Sequence, residues 1–294
     1  MLNYRVVSQS ASVNIDPSIV DSLKGLQLVA KHLAKGLISG KHMSKKLGQG
    51  LEFEQYRQYV QGDDIRALDW KMYAKTGKYY IRQATIETEN YLHLHIDNSP
   101  SMNYSEQKMS KMSMVKIITA TLSYIAVSQG DKFSIATNQI IASKNSGWKK
   151  WNQSLQLLQS MTTSNLEKPK SLLSQEGIHI FLSDLYHSID DIKSFIDQVI
   201  GKNRSLTIIH LIGHDEENLN FGNNANFIDL ESNDQVRLNP EQYRSEYKLK
   251  LSSHIRNIES LCASKKVVLK KVYLKDDLRQ AIRSILSSIN PLVK

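Results

Sequence analysis

A short run of oxygen-bearing side chains, Asp97-Asn98-Ser99-Pro100-Ser101, follows an apolar segment and precedes a long helical pattern. The spacing is D-x-S-x-S. Alternate residues on an extended turn can direct the hydroxyls of Ser99 and Ser101 to one point, and oxygen atoms are the ligands that Mg²⁺ prefers. The alternative is structural, because serines at such a position also cap turns and helices. The run therefore predicts either a cation site or a capped turn.

A second carboxylate, Asp184, ends another apolar segment, and Thr162 and Thr163 lie in a linker between the two. In an open α/β sheet, ligands bind beyond the carboxyl ends of the strands, so residues at two strand ends can meet. We expect Ser99 and Ser101 to bind a cation directly and both aspartates to hold water molecules. A shell of neutral hydroxyls leaves the ion able to bind a carboxylate of another protein, which is adhesion chemistry rather than catalysis.

A different metal site is also compatible with this strand. His93, His95 and Asp97 follow the pattern H-x-H-x-D, which places three ligands on one face of a strand, as in zinc-dependent and binuclear hydrolases. Catalysis would require further ligands. The chain offers His179, His187, His210 and His214. A metal-dependent hydrolase is therefore the alternative function, and buried, hydrogen-bonded histidines are the structural interpretation.

A polar, glycine-punctuated segment from 41 to 77 contains a second concentration of charged and aromatic residues. Paired carboxylates can act in acid catalysis, but nearby arginines favour an ion-pair network that orders a loop. Partner binding is the third interpretation. The candidate partner-binding residues are Arg57, Asp63, Asp64, Arg66 and Trp70. Trp70 is expected to pack against the sheet, with an exposed interaction patch as the alternative.

The elements that must position these residues alternate along the chain. Apolar spacing predicts one amphipathic helix from about 16 to 40, strands at 79–86 and 91–96, and then alternating helices and strands to about 288. Such alternation predicts a doubly wound, mainly parallel α/β sheet covered on both faces. We divide the chain into an N-terminal region, 1–87, which contains the helix and the G-D-D-x-R loop and packs on the core, and an α/β domain, 88–294.

Composition limits the classes of protein that remain. The chain has 294 residues, 38 Lys+Arg against 29 Asp+Glu, a net charge of +9, and a single cysteine, Cys262. A disulfide framework within the chain is excluded, and no apolar run reaches the about 18 residues that span a bilayer. We expect a cytoplasmic protein. The charge is not accompanied by nucleic-acid-binding motifs, so no nucleic acid is expected as a partner, and an acidic protein surface is the better candidate.

The strand-end pattern resembles the metal-ion-dependent adhesion site of von Willebrand factor type A domains. The preceding region is similar to the signature of a bacterial protein family of unknown function, number 58, which is associated with MoxR-type AAA+ ATPases. The matching runs are Gly50-Leu51-Glu52-Phe53-Glu54, Arg57-Gln58-Tyr59, Gly62-Asp63-Asp64-Ile65-Arg66, Asp69-Trp70 and Ala74-Lys75-Thr76-Gly77. The resemblance extends from about 38 to 290.

This resemblance implies a type A fold, a Mg²⁺ site and a non-catalytic adaptor role beside a MoxR-like AAA+ ATPase. Four residues match the adhesion-site pattern: Asp97, Ser99, Ser101 and Asp184. The resemblance implies that Thr162 or Thr163 is the threonine ligand. The choice between them stays open, because neither follows the glycine that usually precedes this threonine in type A domains.

Overall fold

The computed structural model describes residues 17–38, 51–61, 63–86, 91–137, 140–161, 173–222, 225–228 and 235–289. The chain forms two compact units, the larger from Met1–Lys41 and Tyr91–Lys294 and the smaller from His42–Asn90. These boundaries differ from the predicted regions 1–87 and 88–294. The first helix belongs to the larger unit because its apolar residues Leu26, Ala30 and Leu33 are fully buried in the core of that unit.

The elements are as follows in chain order. The strands are β1 (Leu51–Gln58), β2 (Tyr80–Ile86), β3 (Tyr91–Ile96), β4 (Ser105–Glu106), β5 (Met109–Ser110), β6 (Lys132–Ala136), β7 (Ile140–Asn145), β8 (Gly177–Ser183), β9 (Arg204–Ile212), β10 (Ala225–Ile228), β11 (Gln235–Leu238) and β12 (Val268–Tyr273). The α-helices are α1 (Leu23–Ile38), α2 (Trp70–Thr76), α3 (Lys111–Ser128), α4 (Gly147–Gln159), α5 (Ile189–Val199), α6 (His214–Asn218), α7 (Pro240–Ser264) and α8 (Leu278–Ser288). Short 3-10 helices cover Pro17–Asp21, Ile65–Ala67 and Pro100–Asn103.

The larger unit is built on a six-stranded sheet in the order β12-β9-β8-β3-β6-β7. Neighbouring strands run parallel from β12 to β6, and β7 pairs antiparallel with β6 at the edge. The strands that follow β3 in the chain lie on both sides of it, with β6 and β7 on one side and β8, β9 and β12 on the other. The connecting helices therefore cover both faces of the sheet, and the loops after β3 and β8 diverge at this point. The predicted fold class, a doubly wound and mainly parallel α/β sheet consistent with a type A-like architecture, is confirmed.

Each face of the sheet has its own helical layer. Helices α1, α3, α4 and α8 contribute to one apolar core, and α5 and α7 contribute to the other. Helix α3 lies almost wholly inside: fourteen of its eighteen residues are buried, which explains its weak amphipathic pattern. The described ranges include no helix with the length and apolar character needed to cross a membrane.

The smaller unit contains an antiparallel pair, β1 with β2, and the short helix α2. Asp69 caps the start of α2 by accepting from the Met72 amide, and Gly77 ends it in the left-handed conformation with φ 67°. Six of the strands and α-helices were not predicted from the sequence: β1, α2, β4, β5, the edge strand β7 and α6. All but β1 have seven residues or fewer, and polar side chains weaken the apolar periodicity of these segments.

Candidate functional site

The carboxyl ends of β3 and β8 lie next to each other at one edge of the sheet. The strands are neighbours, with Ile96 opposite Leu182, and the Asp97 amide donates to the Leu182 carbonyl at 2.9 Å. Asp97 follows β3 directly, and Asp184 follows β8 directly. The sheet therefore brings the two predicted strand ends side by side.

Asp97 is 7% exposed, and three groups donate to its carboxylate. The Ser99 amide donates to Oδ1 at 3.0 Å, while the Ser183 hydroxyl at 2.6 Å and His187 Nε2 at 2.9 Å donate to Oδ2. Burial alone raises the pKa of Asp97, but the hydrogen bond and charge of His187, together with the bonds from Ser183 and Ser99, lower that pKa to about 2. Asp97 is therefore an ionised, buried carboxylate at neutral pH.

The two serines of the motif converge. The hydroxyl oxygens of Ser99 and Ser101 lie 2.9 Å apart and share a hydrogen bond, and both residues are partly exposed. The turn is held locally, because Ser99 donates its amide to Asp97 and then leads into the 3-10 helix Pro100–Asn103. We name Asp97, Ser99 and Ser101 the sheet-edge site. It combines two partly exposed serines with a buried, ionised carboxylate.

Asp184 takes a different role from that of Asp97. It is 1% exposed, and its Oδ2 lies 2.9 Å from Nζ of Lys111, which is itself fully buried. The same ammonium lies 2.7 Å from Oε1 of Glu216, a carboxylate that also accepts from the Tyr186 hydroxyl at 3.1 Å. Ring faces of Tyr104 and Tyr186 lie 5.2 and 4.9 Å from the ammonium. A cation of the chain itself therefore neutralises Asp184.

Some of the predicted ligand groups suit Mg²⁺, and one is already paired with a lysine of the chain. The hydroxyls of Ser99 and Ser101 and the ionised Asp97 are hard oxygen groups of the type that this ion binds, directly or through retained water. Asp184 would have to share its carboxylate with the Lys111 ammonium. Thr162 and Thr163, the two candidates for the threonine ligand, lie outside the described residues.

The histidines predicted as alternative metal ligands bind each other instead. His179 Nε2 lies 2.8 Å from the Gln175 carbonyl, which can only accept, so this nitrogen carries the proton. His179 Nδ1 then accepts from His95 Nε2 at 3.0 Å. Burial lowers the pKa of His95 well below its ordinary value and that of His179 to about 3, with the charges of neighbouring histidines acting in the same direction. Both rings are therefore neutral.

Both ring nitrogens of His93 are also used in hydrogen bonds within the core. Its Nδ1 lies 2.7 Å from the Ser134 hydroxyl and its Nε2 lies 3.0 Å from the Glu176 carbonyl, while its ring stacks on His179 at 4.5 Å. Nowhere in the described ranges do three or more His, Cys, Asp or Glu side chains form a group that could hold a metal ion. The predicted His93-x-His95-x-Asp97 cluster is wrong, because the ring nitrogens serve the core's hydrogen bonding.

In the smaller unit, the charged motif orders a loop. Arg57 pairs with Asp63 at 2.7 Å, and Asp63 also accepts from the Val60 amide at 2.8 Å. Asp64 caps the 3-10 helix Ile65–Ala67 by accepting from the Arg66 amide at 3.0 Å. These contacts agree with the interpretation that the charged residues form an ion-pair and hydrogen-bond network that orders the loop. The role of the segment in binding a partner stays a prediction.

Trp70 does not enter a core. It is 60% exposed and contacts Tyr73 edge-on at 6.3 Å, while Tyr73 stacks on Tyr79 at 4.5 Å. The expectation that Trp70 packs against the sheet is therefore wrong. The α2 helix contains no buried residue, so its aromatic side chains pack mainly on one another.

Residues 55–257 match the family described as "Protein of unknown function DUF58". The chain belongs to this family. The match includes the loop motif of the smaller unit, the sheet-edge site and most of the parallel sheet. Of the signature runs identified from the sequence, those from Arg57 to Gly77 lie inside it, and the run from Gly50 to Glu54 precedes it.

Individual relatives match less of the chain. Uncharacterized proteins Mb1516 of Mycobacterium bovis and Rv1480 of Mycobacterium tuberculosis are each 27% identical over 117 residues, which is 40% of this chain and 37% of each relative. Two solved structures are similar at low scores. An aerotolerance-related membrane protein from Bacteroides fragilis aligns over 68% of this chain and 98% of its own at 13% identity and a TM-score of 0.40. BatB from Bacteroides thetaiotaomicron aligns over 67% and 97% at 14% identity and a TM-score of 0.38.

Four residues that complete this DUF58 site were missed or misassigned from the sequence. Ser183 and His187 flank Asp184 and bind Asp97, although His187 had been considered only as a metal ligand. Lys111 and Glu216 come from α3 and α6 and meet only in the folded chain. Ser183 and His187 could have been found from their closeness to a strand-end aspartate. A lone lysine at a helix start gives no such signal, because most lysines there are solvated.

Proposed function

We propose that this DUF58 protein is a non-catalytic adaptor that binds protein partners at the sheet-edge site through Mg²⁺. The observation that carries this proposal is the pair of partly exposed hydroxyls, 2.9 Å apart, next to an ionised and buried carboxylate. Hydroxyls are weak nucleophiles without an adjacent base. The imidazole of His187 uses its Nε2 atom in a hydrogen bond to Asp97. Binding is therefore a better use of these groups than covalent catalysis.

In this proposal, the residues of the sheet-edge site bind the ion, and neighbouring residues hold them in position. Ser99 and Ser101 would supply neutral oxygen ligands, and Asp97 would orient retained water from behind. Mg²⁺, when bound, supplies a positive position to which a carboxylate of a partner can bind. Ser183 and His187 keep Asp97 ionised and in one orientation. The ammonium group of Lys111 neutralises the carboxylate of Asp184, so Asp184 does not add a second unpaired negative charge beside the site.

The partner that we propose is a MoxR-like AAA+ ATPase, with client proteins as further candidates. This choice is supported by the family resemblance and not by a residue of the site. We propose the cytoplasm as the compartment, in keeping with a single cysteine, Cys262, that is buried and forms no disulfide. The uncharacterized Mycobacterium relatives do not bear on the choice of partner.

The test measures the metal first and the partner second. Isothermal titration of MgCl₂ into the purified chain should give one site, and the Ser99→Ala/Ser101→Ala variant should bind at least about tenfold more weakly, a loss of about 1.4 kcal/mol. Co-purification with the MoxR-type ATPase of the same organism should occur in Mg²⁺ and fail in EDTA. Circular dichroism and the unfolding midpoint of the variant should remain those of the parent, because both serines are at the surface.

The matched control replaces two serines elsewhere. Ser252 and Ser253 are exposed on α7, so Ser252→Ala/Ser253→Ala should leave both Mg²⁺ and ATPase binding unchanged. Equal Mg²⁺ affinity in the parent and in the Ser99→Ala/Ser101→Ala variant would refute the metal site. Association that persists in EDTA would refute metal dependence while retaining the adaptor role.

A further inference from the structure

Basic residues predominate in one helical layer of the larger unit, where acidic residues occur only next to the helix ends, as Asp21 before α1 and Asp277 at the start of α8. The sequences of α1, α3, α4 and α8, which cover one face of the sheet, contain no Asp or Glu. Apart from the buried Lys111, their cationic residues are Lys24, Lys31, Lys35, Lys116, Lys149, Lys150, Arg279 and Arg283. We name the outward side of these helices the basic face. Within the bounds of the four helices, every charged residue is basic.

The opposite layer has mixed charge. Helix α5 contains Asp190, Asp191 and Asp197 with one lysine, and α7 contains acidic and basic residues interspersed along its length. The excess of basic residues in α1, α3, α4 and α8 is therefore not matched in the helices of the opposite layer. A one-signed surface attracts a partner of the opposite sign and orients it before contact.

A cleft of about 240 Å³ opens in the basic face between α1, α3 and α4. Its lining residues are Lys31, Tyr124, Trp148, Trp151 and Asn152, and we name it the aromatic cleft. The three rings are packed at angles to one another: Tyr124 lies 4.8 Å from Trp148 and 5.3 Å from Trp151, and the two indoles are 85° apart. The walls are thus formed by aromatic faces and edges that can contact an apolar side chain.

The cleft is preformed rather than a gap between mobile side chains. Trp151 is 1% exposed, and its indole N–H donates to the Ser123 hydroxyl at 3.1 Å. Asn152 accepts from Gln27 Nε2 of α1 at 2.9 Å, which joins the two rims. Trp148 is the exposed wall at 45%, and Leu28, one turn from Lys31 on α1, is 67% exposed. A rigid floor with exposed apolar rims is typical of a site that receives an anchor side chain.

We propose that the basic face binds an acidic segment of another protein, with one aromatic or large aliphatic side chain of that segment in the aromatic cleft. Charge complementarity decides the occupant. Lys31 lines the cleft, and the exposed Lys149 and Lys150 follow Trp148 directly, so carboxylates on both sides of the anchor can pair with ammonium groups. This surface is separate from the sheet-edge site and uses no metal. An anionic membrane would suit a flat apolar surface, whereas a concave cleft favours a single projecting side chain.

The experiment uses the full chain and a defined probe. The probe is a fluorescein-labelled peptide of twelve residues made of Asp and Glu with one central Phe, and binding is followed by fluorescence anisotropy in EDTA. The parent should bind this peptide about tenfold more tightly than the same peptide with Ala in place of Phe. Trp148→Ala should abolish that difference, and Trp148→Phe should retain most of it. Lys149→Glu/Lys150→Glu should weaken binding of both peptides by about tenfold or more.

A charge-matched control separates specific from general attraction. Lys193 on α5 and Lys248 on α7 are exposed on the mixed-charge layer, so Lys193→Glu/Lys248→Glu makes the same change in net charge and should leave peptide binding within about twofold of the parent. Equal weakening by both double variants would overturn the proposal, as would identical affinities for the Phe and Ala peptides. Trp148-dependent sedimentation with phosphatidylglycerol vesicles, without peptide binding, would also overturn it in favour of a membrane surface. Because EDTA is present throughout, failure here is distinguishable from failure of the Mg²⁺ site.

Discussion

Lys111 has the most unusual surroundings of any single residue at the sheet edge. Its ammonium is fully buried, and burying an isolated charge costs several kcal/mol unless partners compensate. The carboxylates of Asp184 and Glu216 provide that compensation at 2.9 and 2.7 Å. The attraction is strong because water is largely excluded, but the same exclusion makes loss of one partner costly. Lys111 thus joins α3, the loop after β8 and α6 at one point.

Replacing this lysine tests that conclusion. Lys111→Met keeps much of the side-chain volume but leaves two buried carboxylates without their cation, so we expect the free energy of unfolding to fall by about 3 kcal/mol or more at pH 7. Lys265→Met is the control, because its pair with Asp197 is partly exposed and exposed pairs contribute about 1 kcal/mol or less. Urea unfolding followed by circular dichroism measures both. Similar losses in the two variants would show that the burial of Lys111 has no special energetic weight.

At the scale of the element, α5 shows how local sequence produces a helix in a defined place. Its apolar residues Ile192, Phe195, Ile196 and Val199 recur at helical spacing and are buried. Ser188 begins the helix, because its hydroxyl accepts from the Asp191 amide at 3.1 Å. Negative charges in the first turn interact favourably with the helix dipole. This start also ends the loop that carries His187 to Asp97.

The cap makes a quantitative prediction. Ser188→Ala removes the acceptor of an otherwise unsatisfied helix amide and should lower the free energy of unfolding by about 1 kcal/mol. Ser188→Asn should restore most of that loss, because asparagine is an equally good cap and adds no charge beside the Asp191 carboxylate, which accepts from the Ser188 hydroxyl at 2.7 Å. Ser194→Ala, on the exposed side of the same helix, should change stability by no more than about 0.5 kcal/mol. Thermal or urea unfolding of the three variants compares them, and an effect of Ser194→Ala equal to that of Ser188→Ala would contradict the capping role.

At the scale of the whole molecule, the parallel sheet keeps several histidines neutral in its core. His95, His179 and His210 lie on three adjacent strands, and burial is the main reason that each pKa is lowered. For His179 and His210 the pKa is about 3, against an ordinary value of 6.5. The unfolded chain therefore takes up protons below pH 6.5 that the folded chain does not, and stability must fall as the pH decreases through that range.

The pH dependence of unfolding gives the test. Each histidine that stays neutral in the fold should contribute a slope of about 1.4 kcal/mol per pH unit between pH 6.5 and pH 3. His179→Gln should reduce the total slope by about that amount. Asp97 adds a further loss only between about pH 4 and pH 2, because its pKa is lowered from 3.8 to about 2. Urea midpoints at half-unit pH steps measure these slopes. An unaltered slope in His179→Gln would mean that His179 is protonated in the folded state.

Much of the architecture follows from local patterns. The parallel strands are continuous apolar runs, as strands buried on both faces must be, and the amphipathic helices between them carry their own caps. The sequence therefore predicted the doubly wound sheet and the position of D-x-S-x-S after β3. Strands β1 and β7 were missed because short, polar segments acquire strand structure from pairing with a neighbour rather than from their own periodicity.

The sequence by itself determined the turn of the sheet-edge site, since Asp97, Ser99 and Ser101 lie within five residues and their contacts are local hydrogen bonds. Only the tertiary structure decided which charges are compensated. Lys111, Asp184 and Glu216 are far apart in the chain, and nothing in their own neighbourhoods distinguishes a buried ion pair from three solvated side chains. The same holds for the histidines, whose ring nitrogens could have faced a metal and instead face one another. Burial and pairing of charges depend on packing between distant segments, which no local pattern specifies.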